Sequence, residues 1–249
     1  GFLPDKIASE DYIFGGKQIT DFPMNADGQW DEYLPENELQ SKNNLETMNC
    51  TAYGTLNCIE ILLNAKYNIK ENFSERYIGV LAETLPQGNS PHKIAETIRK
   101  ISGLIKESLL PFNDGINTWE GYYNPNPMTS FLQKEGQKFL EQFEFKHEWV
   151  TSNENELKKA LKLSPLGVSV HAWIKEGNYY VKPQGYYPNH WCMLYGYEEG
   201  KFWKIFDSYD DTTKELIWDY NFDFVKRYHI QKKNQRFNLK YLLSAYIKS

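Results

Sequence analysis

Cys50 lies at the start of a predicted helix, in the stretch NLETMNCTAYGTLNCIEILLNAK (residues 44–66). The first residue of a helix lies beside backbone N–H groups without intrahelical partners and at the positive end of the helix dipole. Both effects favour a thiolate and lower the pKa of a cysteine, so this position suits a nucleophile. A cysteine inside a helix is more often a small buried apolar residue, which is our interpretation of Cys58.

A nucleophilic thiol needs a base, and the base needs a group that fixes its tautomer. His190 lies in PNHWCMLYGY at the start of a predicted strand, and Asp207 follows in KFWKIFDSYDD. Two neighbouring strands joined by the EEGK turn would place these two side chains together, and the helix start would bring Cys50 to them across a cleft. A lone strand histidine is more often a core or surface residue, so the spacing alone leaves both interpretations open.

The elements that must position these residues change in type along the chain. Apolar residues at helical spacing predict a helix from about residue 49, and Ser90-Pro91 predicts the start of another that ends at Gly103. The inward residues of these helices are predicted to be Ala52, Tyr53, Leu56, Ile59 and Leu63 in the first, and Ile94, Ile98 and Ile101 in the second. A short helix near residues 154–163 follows, with strand-like segments around it: GVSVHAW, NYYV, HWCMLYGY, KFWKIF and ELIWDY.

This order predicts the α+β class, with a helical lobe followed by an antiparallel, β-barrel-like lobe and an active cleft between the two. We expect a single domain. Its parts are an N-terminal surface segment (1–40), a helical lobe (about 41–112), a mainly β lobe (about 113–212) and a C-terminal extension (213–249).

Composition excludes several classes of partner. The 28 Lys and Arg residues against 33 Asp and Glu give a net charge of -5, which argues against nucleic acid or an anionic membrane as the main partner. No apolar run approaches the roughly 20 residues that cross a bilayer, so we expect no membrane insertion. Aromatic residues make up 16% of the chain, which indicates a folded protein.

The cysteines and histidines indicate neither a disulfide framework nor a metal site. Three cysteines are an odd number without framework spacing, and the five histidines are scattered. We therefore expect free thiols, no metal, no cofactor and a reducing, cytoplasmic setting.

Several short segments match the motifs of one known family. C-T-A-Y-G-T-L-N-C-I-E is similar to its nucleophile helix, N-H-W-C-M-L-Y-G-Y to its histidine strand, and K-F-W-K-I-F-D-S-Y to the strand that ends in its orienting residue. Residues 103–112 resemble its G-L-x-x-E and Y-P-Y motifs, and residues 167–170 its P-V-S-V strand. The chain thus resembles the papain-like (C1-type) cysteine peptidases over about residues 40–210, in the right order. The Cys-to-His separation also lies within the roughly 130–150 residues that are typical of them.

The departures from this pattern define a divergent member without the family disulfides. The family's C-G-x-C-W becomes T-M-N-C-T, so the disulfide cysteine and the tryptophan after the nucleophile are absent. The orienting asparagine becomes Asp207, and the tryptophan that shields it becomes Tyr209. An aspartate can still accept from the imidazole N–H, and its charge is expected to favour the imidazolium.

The resemblance also implies an oxyanion donor and substrate contacts. The family's glutamine corresponds to Asn44, but Gln40 has the longer side chain and is the favoured donor together with the Cys50 N–H. Gly88 and Asn89 fall where the family binds the substrate backbone, and His171 and Trp191 where it holds a substrate side chain. For His171, a hydrogen bond to a neighbouring strand is an equally good interpretation.

These residues imply a cysteine endopeptidase that hydrolyses proteins through a Cys-His-Asp triad and an acyl-enzyme. The expected partners are a polypeptide substrate and a pro-segment or protein inhibitor. Two alternatives stay open: a papain-like module that has lost catalysis and serves binding or structure, and a cell-wall peptide hydrolase or transglutaminase-like acyltransferase.

Overall fold

The computed structural model describes residues 1–8, 11–15, 24–124, 129–210 and 213–233. In these residues the helices are α1 (Cys50–Tyr67), α2 (Glu75–Leu81), α3 (Pro91–Thr97), α4 (Trp119–Tyr123), α5 (Ser130–Gln142) and α6 (Glu154–Leu161). The strands are β1 (Ser41–Lys42), β2 (Leu45–Glu46), β3 (Phe143–Trp149), β4 (Leu166–Val170), β5 (Ile174–Glu176), β6 (Tyr179–Val181), β7 (His190–Glu198), β8 (Phe202–Phe206), β9 (Lys214–Ile217) and β10 (Val225–Lys232). The fold is a mixture of helices and a large sheet, so the α+β prediction is confirmed.

Helix α1 begins at Cys50 and forms the centre of the molecule. It contacts β7 and β10 on one side and α2 and α3 on the other, and every residue from 50 to 63 is buried. The sequence predicted that one face of this helix would be buried. The buried surface is wider than predicted, because a helix between a sheet and other helices buries its whole circumference. The helix ends at Tyr67, and the left-handed conformation of Asn68 (φ 53°) turns the chain so that the Ile69 N–H donates to the Leu63 carbonyl at 3.2 Å.

Helix α3 begins as the sequence predicted and then changes its winding. The Ser90 hydroxyl accepts a hydrogen bond from the Lys93 N–H, and Pro91 occupies the first turn. The following residues, Ile98–Ser102, form a π-helical turn, which is wider than an α-helical turn. Because this turn shifts the later side chains around the axis, Ile101 is 61% exposed. Its predicted place on the inward face was therefore wrong.

The eight-stranded sheet has the order β3-β10-β4-β7-β8-β9-β6-β5, and all its neighbours are antiparallel except β6 and β9. Strands β4, β6, β7, β8 and β9 correspond to predicted segments. Strand β7 lies inside the sheet between β4 and β8; His190 at its first residue pairs with Val170 of β4, and the pairing with β8 begins at Met193.

Strands β3 and β10 were not predicted, because their sequences contain many charges. Their buried charges pair across the two strands: Arg227 lies opposite Glu148, and its Nε donates to the Glu148 carboxylate at 2.5 Å. The C-terminal extension supplies the strands β9 and β10 of the sheet. Its residues 234–249 lie outside the described residues. The N-terminal segment, expected at the surface, also reaches the interior, since Phe2 and Trp30 are buried.

Gly103 provides a test of how α5 packs against the end of the π-helical turn. Gly103 has φ +60°, and an added Cβ would lie 1.9 Å from the Gly136 carbonyl oxygen. We expect Gly103→Ala to lower the free energy of unfolding in urea by about 3 kcal/mol, since strain and overlap add. Gly200 is the matched control, because its φ is +71° and no atom lies within 4 Å of its added Cβ. The change Gly200→Ala should cost about 1 kcal/mol, and equal losses at the two positions would contradict this account.

Candidate active site

The start of α1 places Cys50 at a sharp change of chain direction. Met48 adopts a left-handed conformation (φ 54°), and the helix begins two residues later. The Asn49 side chain does not cap the helix; its amide donates instead to the Glu75 carbonyl at 2.9 Å and to the Tyr122 hydroxyl at 3.1 Å. The two buried hydrogen bonds of Asn49 therefore fix the backbone just before Cys50, and with it the position of Cys50 at the start of the helix.

His190 lies between Cys50 and Asp207. Its Nε2 is 2.6 Å from the Asp207 carboxylate, and the Cys50 side chain lies near enough for the thiol and the imidazole to shift each other's pKa. Since Asp207 occupies Nε2, Nδ1 is the ring nitrogen that is left for the sulfur. The cysteine from the helix and the histidine and aspartate from the strands thus form one continuous chain of contacts.

The pKa values of this group favour charge separation. Burial alone would raise the pKa of Cys50, but the Gly1 amino group, the His190 imidazole and the Trp191 backbone lower it below its ordinary value. Burial alone would lower the pKa of His190, but Cys50 and Asp207 raise it to about 9. Both shifts favour a thiolate–imidazolium pair over the neutral thiol and imidazole.

Asp207 has a second, cationic partner. Lys214 Nζ lies 2.8 Å from the other carboxylate oxygen of Asp207 and 2.6 Å from Asp210. The Lys214 and Asp207 side chains are 1% and 0% exposed, respectively. Burial alone would raise the pKa of Asp207, but His190 and Lys214 hold it below its usual value.

Aromatic rings cover the imidazole on two sides. The Trp173 and Tyr209 rings stand edge-on to His190, with centroids 5.7 Å and 5.2 Å away. Trp173 also lies under Lys214, whose Nζ is 4.9 Å from its ring centroid. The hydrogen bond between His190 and Asp207 is thus kept from solvent by Trp173, which the sequence did not single out, as well as by Tyr209.

Gln40 and Asn44 lie in different environments. Gln40 is buried, its Nε2 donates to Glu46 at 2.7 Å, and its Oε1 accepts from the Ser208 hydroxyl at 2.7 Å. Together with His190 it lines a cavity of about 340 Å³. Asn44 is exposed in the tight turn between β1 and β2, with φ +61°. The geometry therefore brings Gln40, and not Asn44, to the candidate site.

Three of the four predicted substrate residues lie close to residues 1–3, and the fourth, His171, lies apart from them. Trp191 is fully buried, and Asn89, which follows Gly88, is hydrogen-bonded through its backbone to residues 1 and 3; the space between Asn89 and Trp191 is called the groove below. His171 does not line the cavity that holds His190; its Nδ1 lies 3.0 Å from the Tyr187 carbonyl, and its ring meets Tyr186 edge-on. The structure thus favours the interpretation of His171 as a residue bonded to its neighbours.

Residues 1–3 occupy the groove beside Cys50. The Asn89 backbone binds them on both sides: its N–H donates to the Gly1 carbonyl at 3.0 Å, and its carbonyl accepts from the Leu3 N–H at 2.9 Å. The Phe2 ring stacks on Trp191 at 5.6 Å between centroids and is 5% exposed. This arrangement could not be predicted from the sequence, because a short N-terminal stretch has no periodic pattern.

Two glycines make room for the Trp191 ring. An added Cβ at Gly54, on α1, would lie 2.9 Å from the ring, and one at Gly167, on β4, would lie 2.5 Å from it. The ring is therefore clamped between the helix that carries Cys50 and the neighbouring strand. Side chains larger than hydrogen at either position would displace it.

Neither a metal centre nor a membrane span occurs in the described part of the chain. Within the described ranges, no cluster of three or more His, Cys, Asp or Glu side chains is arranged to hold a metal ion. No helix among the same residues has the length and apolar character to cross a membrane. All three cysteines are free and buried.

Comparison with solved structures identifies the fold. The chain is similar to procathepsin L 3 from the larval midgut of Tenebrio molitor (16% identity, TM-score 0.59, covering 83% of this chain and 70% of that one). It is also similar to the bromelain protease of Ananas comosus in complex with the E64 inhibitor (18%, 0.57, 80% and 96%). A third similar structure is the proform of Amb a 11, a ragweed pollen cysteine protease (15%, 0.55, 80% and 64%).

No protein-family model and no curated protein matches this sequence. The structural similarity nevertheless shows that the chain has the papain-like fold, divergent in sequence from these neighbours. The resemblance seen in the sequence motifs is therefore confirmed for the fold.

Selective alkylation tests the thiolate at Cys50. With iodoacetamide, we expect the labelling rate of Cys50 to fall less between pH 8 and pH 6.5 than that of an ordinary thiol, because its pKa is lowered. A free thiol with a pKa of about 8.5 would slow more than tenfold over this interval. Cys58 and Cys192 serve as internal controls, since burial raises both of their pKa values. Mass spectrometry of the labelled peptides measures all three, and equal labelling of the three cysteines would refute the assignment.

Proposed function

We propose that the protein is a cysteine endopeptidase that hydrolyses peptide bonds in proteins. The observation that carries this proposal is the chain of contacts from Cys50 through His190 to Asp207, held at a groove in a papain-like fold. A thiolate beside an imidazolium whose orientation is fixed by a carboxylate is the arrangement that acyl transfer through a covalent intermediate requires.

In the proposed reaction, the Cys50 thiolate attacks the carbonyl carbon of the scissile bond. The His190 imidazolium then donates its proton to the leaving amine, and the peptide C–N bond breaks to leave a thioester on Cys50. His190, now neutral, takes a proton from water, and the resulting hydroxide releases the acyl group as a carboxylate. Asp207 keeps the imidazole oriented throughout and does not itself take up the proton.

Gln40 is the proposed oxyanion donor, together with the Cys50 N–H. The amide nitrogen of Gln40 carries two protons, and the Glu46 carboxylate accepts one of them. The hydrogen bond from Ser208 to Gln40 Oε1 fixes which end of the amide carries those protons. In this orientation, the second proton is available to the developing oxyanion in the adjoining cavity.

Peptide cleavage by the purified protein under reducing conditions tests the proposal. We expect cleavage of a diverse peptide library that is abolished by Cys50→Ala. Gln40→Ala should lower kcat by about 10²–10³ with little change in KM, since the contact forms mainly in the transition state. Asn44→Ala is the matched control and should leave both constants unchanged. Absence of cleavage and of Cys50 labelling would favour the alternative of a binding module without catalysis.

Residues 1–3 bear on how substrates reach the site. The backbone of Asn89, which the family resemblance assigns to substrate, is already hydrogen-bonded to Gly1 and Leu3. The Phe2 ring stacks on Trp191 and belongs to the same buried apolar cluster as Cys50. We propose that this segment competes with substrate for the groove, as a pro-segment would; two of the three structural neighbours are described as a proenzyme and a proform.

Loosening this segment should therefore raise activity. We expect Phe2→Ala to increase kcat/KM for peptide cleavage about tenfold, because the segment loses its buried aromatic anchor. Iodoacetamide labelling of Cys50 should accelerate in parallel. Phe131→Ala is the control, since Phe131 is 54% exposed on α5. An unchanged or lower rate in Phe2→Ala would show that the segment supports the site and does not compete with substrate.

A further inference from the structure

Lys214 is a buried cation that the proposed mechanism does not use. Its Nζ lies on the far side of Asp207 from His190, 2.8 Å from Oδ2, whereas His190 contacts Oδ1 at 2.6 Å. Its side chain is 1% exposed, and the rings of Trp173 and Tyr180 lie within 4.9 Å and 5.9 Å of its Nζ. A lysine is rarely buried to this extent without a specific partner, so the location of Lys214 needs an explanation.

The charges around His190 alternate in sign. The order of contact is the Cys50 thiolate, the His190 imidazolium, the Asp207 carboxylate and the Lys214 ammonium, so each charge touches only opposite ones. The family resemblance implies a neutral asparagine at position 207. An aspartate in its place introduces one buried negative charge, and Lys214 supplies one positive charge to balance it.

Lys214 also fixes the geometry of the carboxylate. Without a partner at Oδ2, the plane of the Asp207 carboxylate could turn away from the imidazole. With Lys214 at Oδ2, the plane is held at both ends and Oδ1 faces Nε2 of His190. Lys214 is anchored in turn by Asp210, which lies 2.6 Å from its Nζ at the protein surface.

We infer that Lys214 is a positioning residue that neutralises and orients Asp207, so that the Asp207–Lys214 pair together replaces a single neutral hydrogen-bond acceptor behind the catalytic histidine. The role of this pair in catalysis rests on the proposed function. The pairing itself is a property of the folded protein and can be measured without a substrate.

The effect of removing either partner follows from the groups that face the cluster. By element, these groups are Cys50 on α1, Tyr180 on β6, His190 and Cys192 on β7, and Asp207, Tyr209 and Asp210 in the residues after β8. Lys214→Met leaves His190 beside an unbalanced carboxylate, so the pKa of His190 should rise. Asp207→Asn leaves it near an ammonium that only Asp210 balances, so its pKa should fall. In the double variant both charges are gone, and the pKa should lie between those of the two single variants.

A double-mutant cycle with Lys214→Met, Asp207→Asn and their combination tests the inference. We expect Lys214→Met to lower kcat/KM for peptide cleavage by at least about tenfold, and Asp207→Asn added to it to recover most of that loss. NMR titration of His190 should show the opposite pKa shifts of the two single variants. Lys204→Met is the matched control, because Lys204 forms a partly exposed ion pair with Asp31 and should change neither quantity.

The outcomes separate a positioning role from a merely structural one. If Lys214 only supports the fold, the losses of the two single variants add up in the double variant and the His190 pKa does not move in opposite directions; that result would overturn the inference. If Lys214→Met fails to fold, the double variant decides, since it should fold when charge balance is the cause. A double variant that is also unfolded would overturn the inference as well. If neither the wild-type protein nor any variant cleaves peptides, the proposed function is wrong. The titration of His190 and the folding comparison then still decide the role of Lys214.

Discussion

The arrangement of the site depends on one contact, between the first residue of α1 and the first residue of β7. Helix α1 is buried on all sides from residue 50 to residue 63, so it can neither slide nor rotate without disrupting the core. Strand β7 lies between two neighbouring strands, and His190 at its start pairs with Val170 of β4. The thiol and the imidazole are therefore both held by elements of the buried core, which limits how far either can move.

Low solvent access strengthens the electrostatic attraction between the two groups, and it also raises the free-energy cost of any buried charge that lacks an opposite partner. Cys50, His190, Asp207 and Lys214 are all nearly inaccessible, and a single buried charge among them would be costly. The alternation of sign along the four groups resolves this difficulty, since every charge has an opposite neighbour. The same design recurs on the other side of the sheet, where Arg227 and Glu148 pair between β10 and β3.

The sequence predicted those parts of the fold that have local signals. The start of α1, the Ser90 cap and the strands that carry His190 and precede Asp207 follow from helical spacing, capping chemistry and aromatic or β-branched content. It did not predict β3 and β10, because their buried charges appear as surface residues until their partners are known. Lys214 and Phe2 were missed for a related reason: each acquires its role through a residue distant in the chain or in another element. Ile101 was misplaced because nothing local distinguishes a π-helical turn from an α-helical one.

Trp191 illustrates how a groove can be shaped from beneath. The ring fits only because Gly54 on the helix and Gly167 on the strand lack side chains, and its upper face supports Phe2. Three positions from three separate elements therefore act as one steric unit, in which the bulk of one residue is matched by the absence of methyl groups on the other two. Altering the size of the side chain that the groove accepts would require coordinated substitution at all three positions, and a change at one of them alone would leave either a void or an overlap.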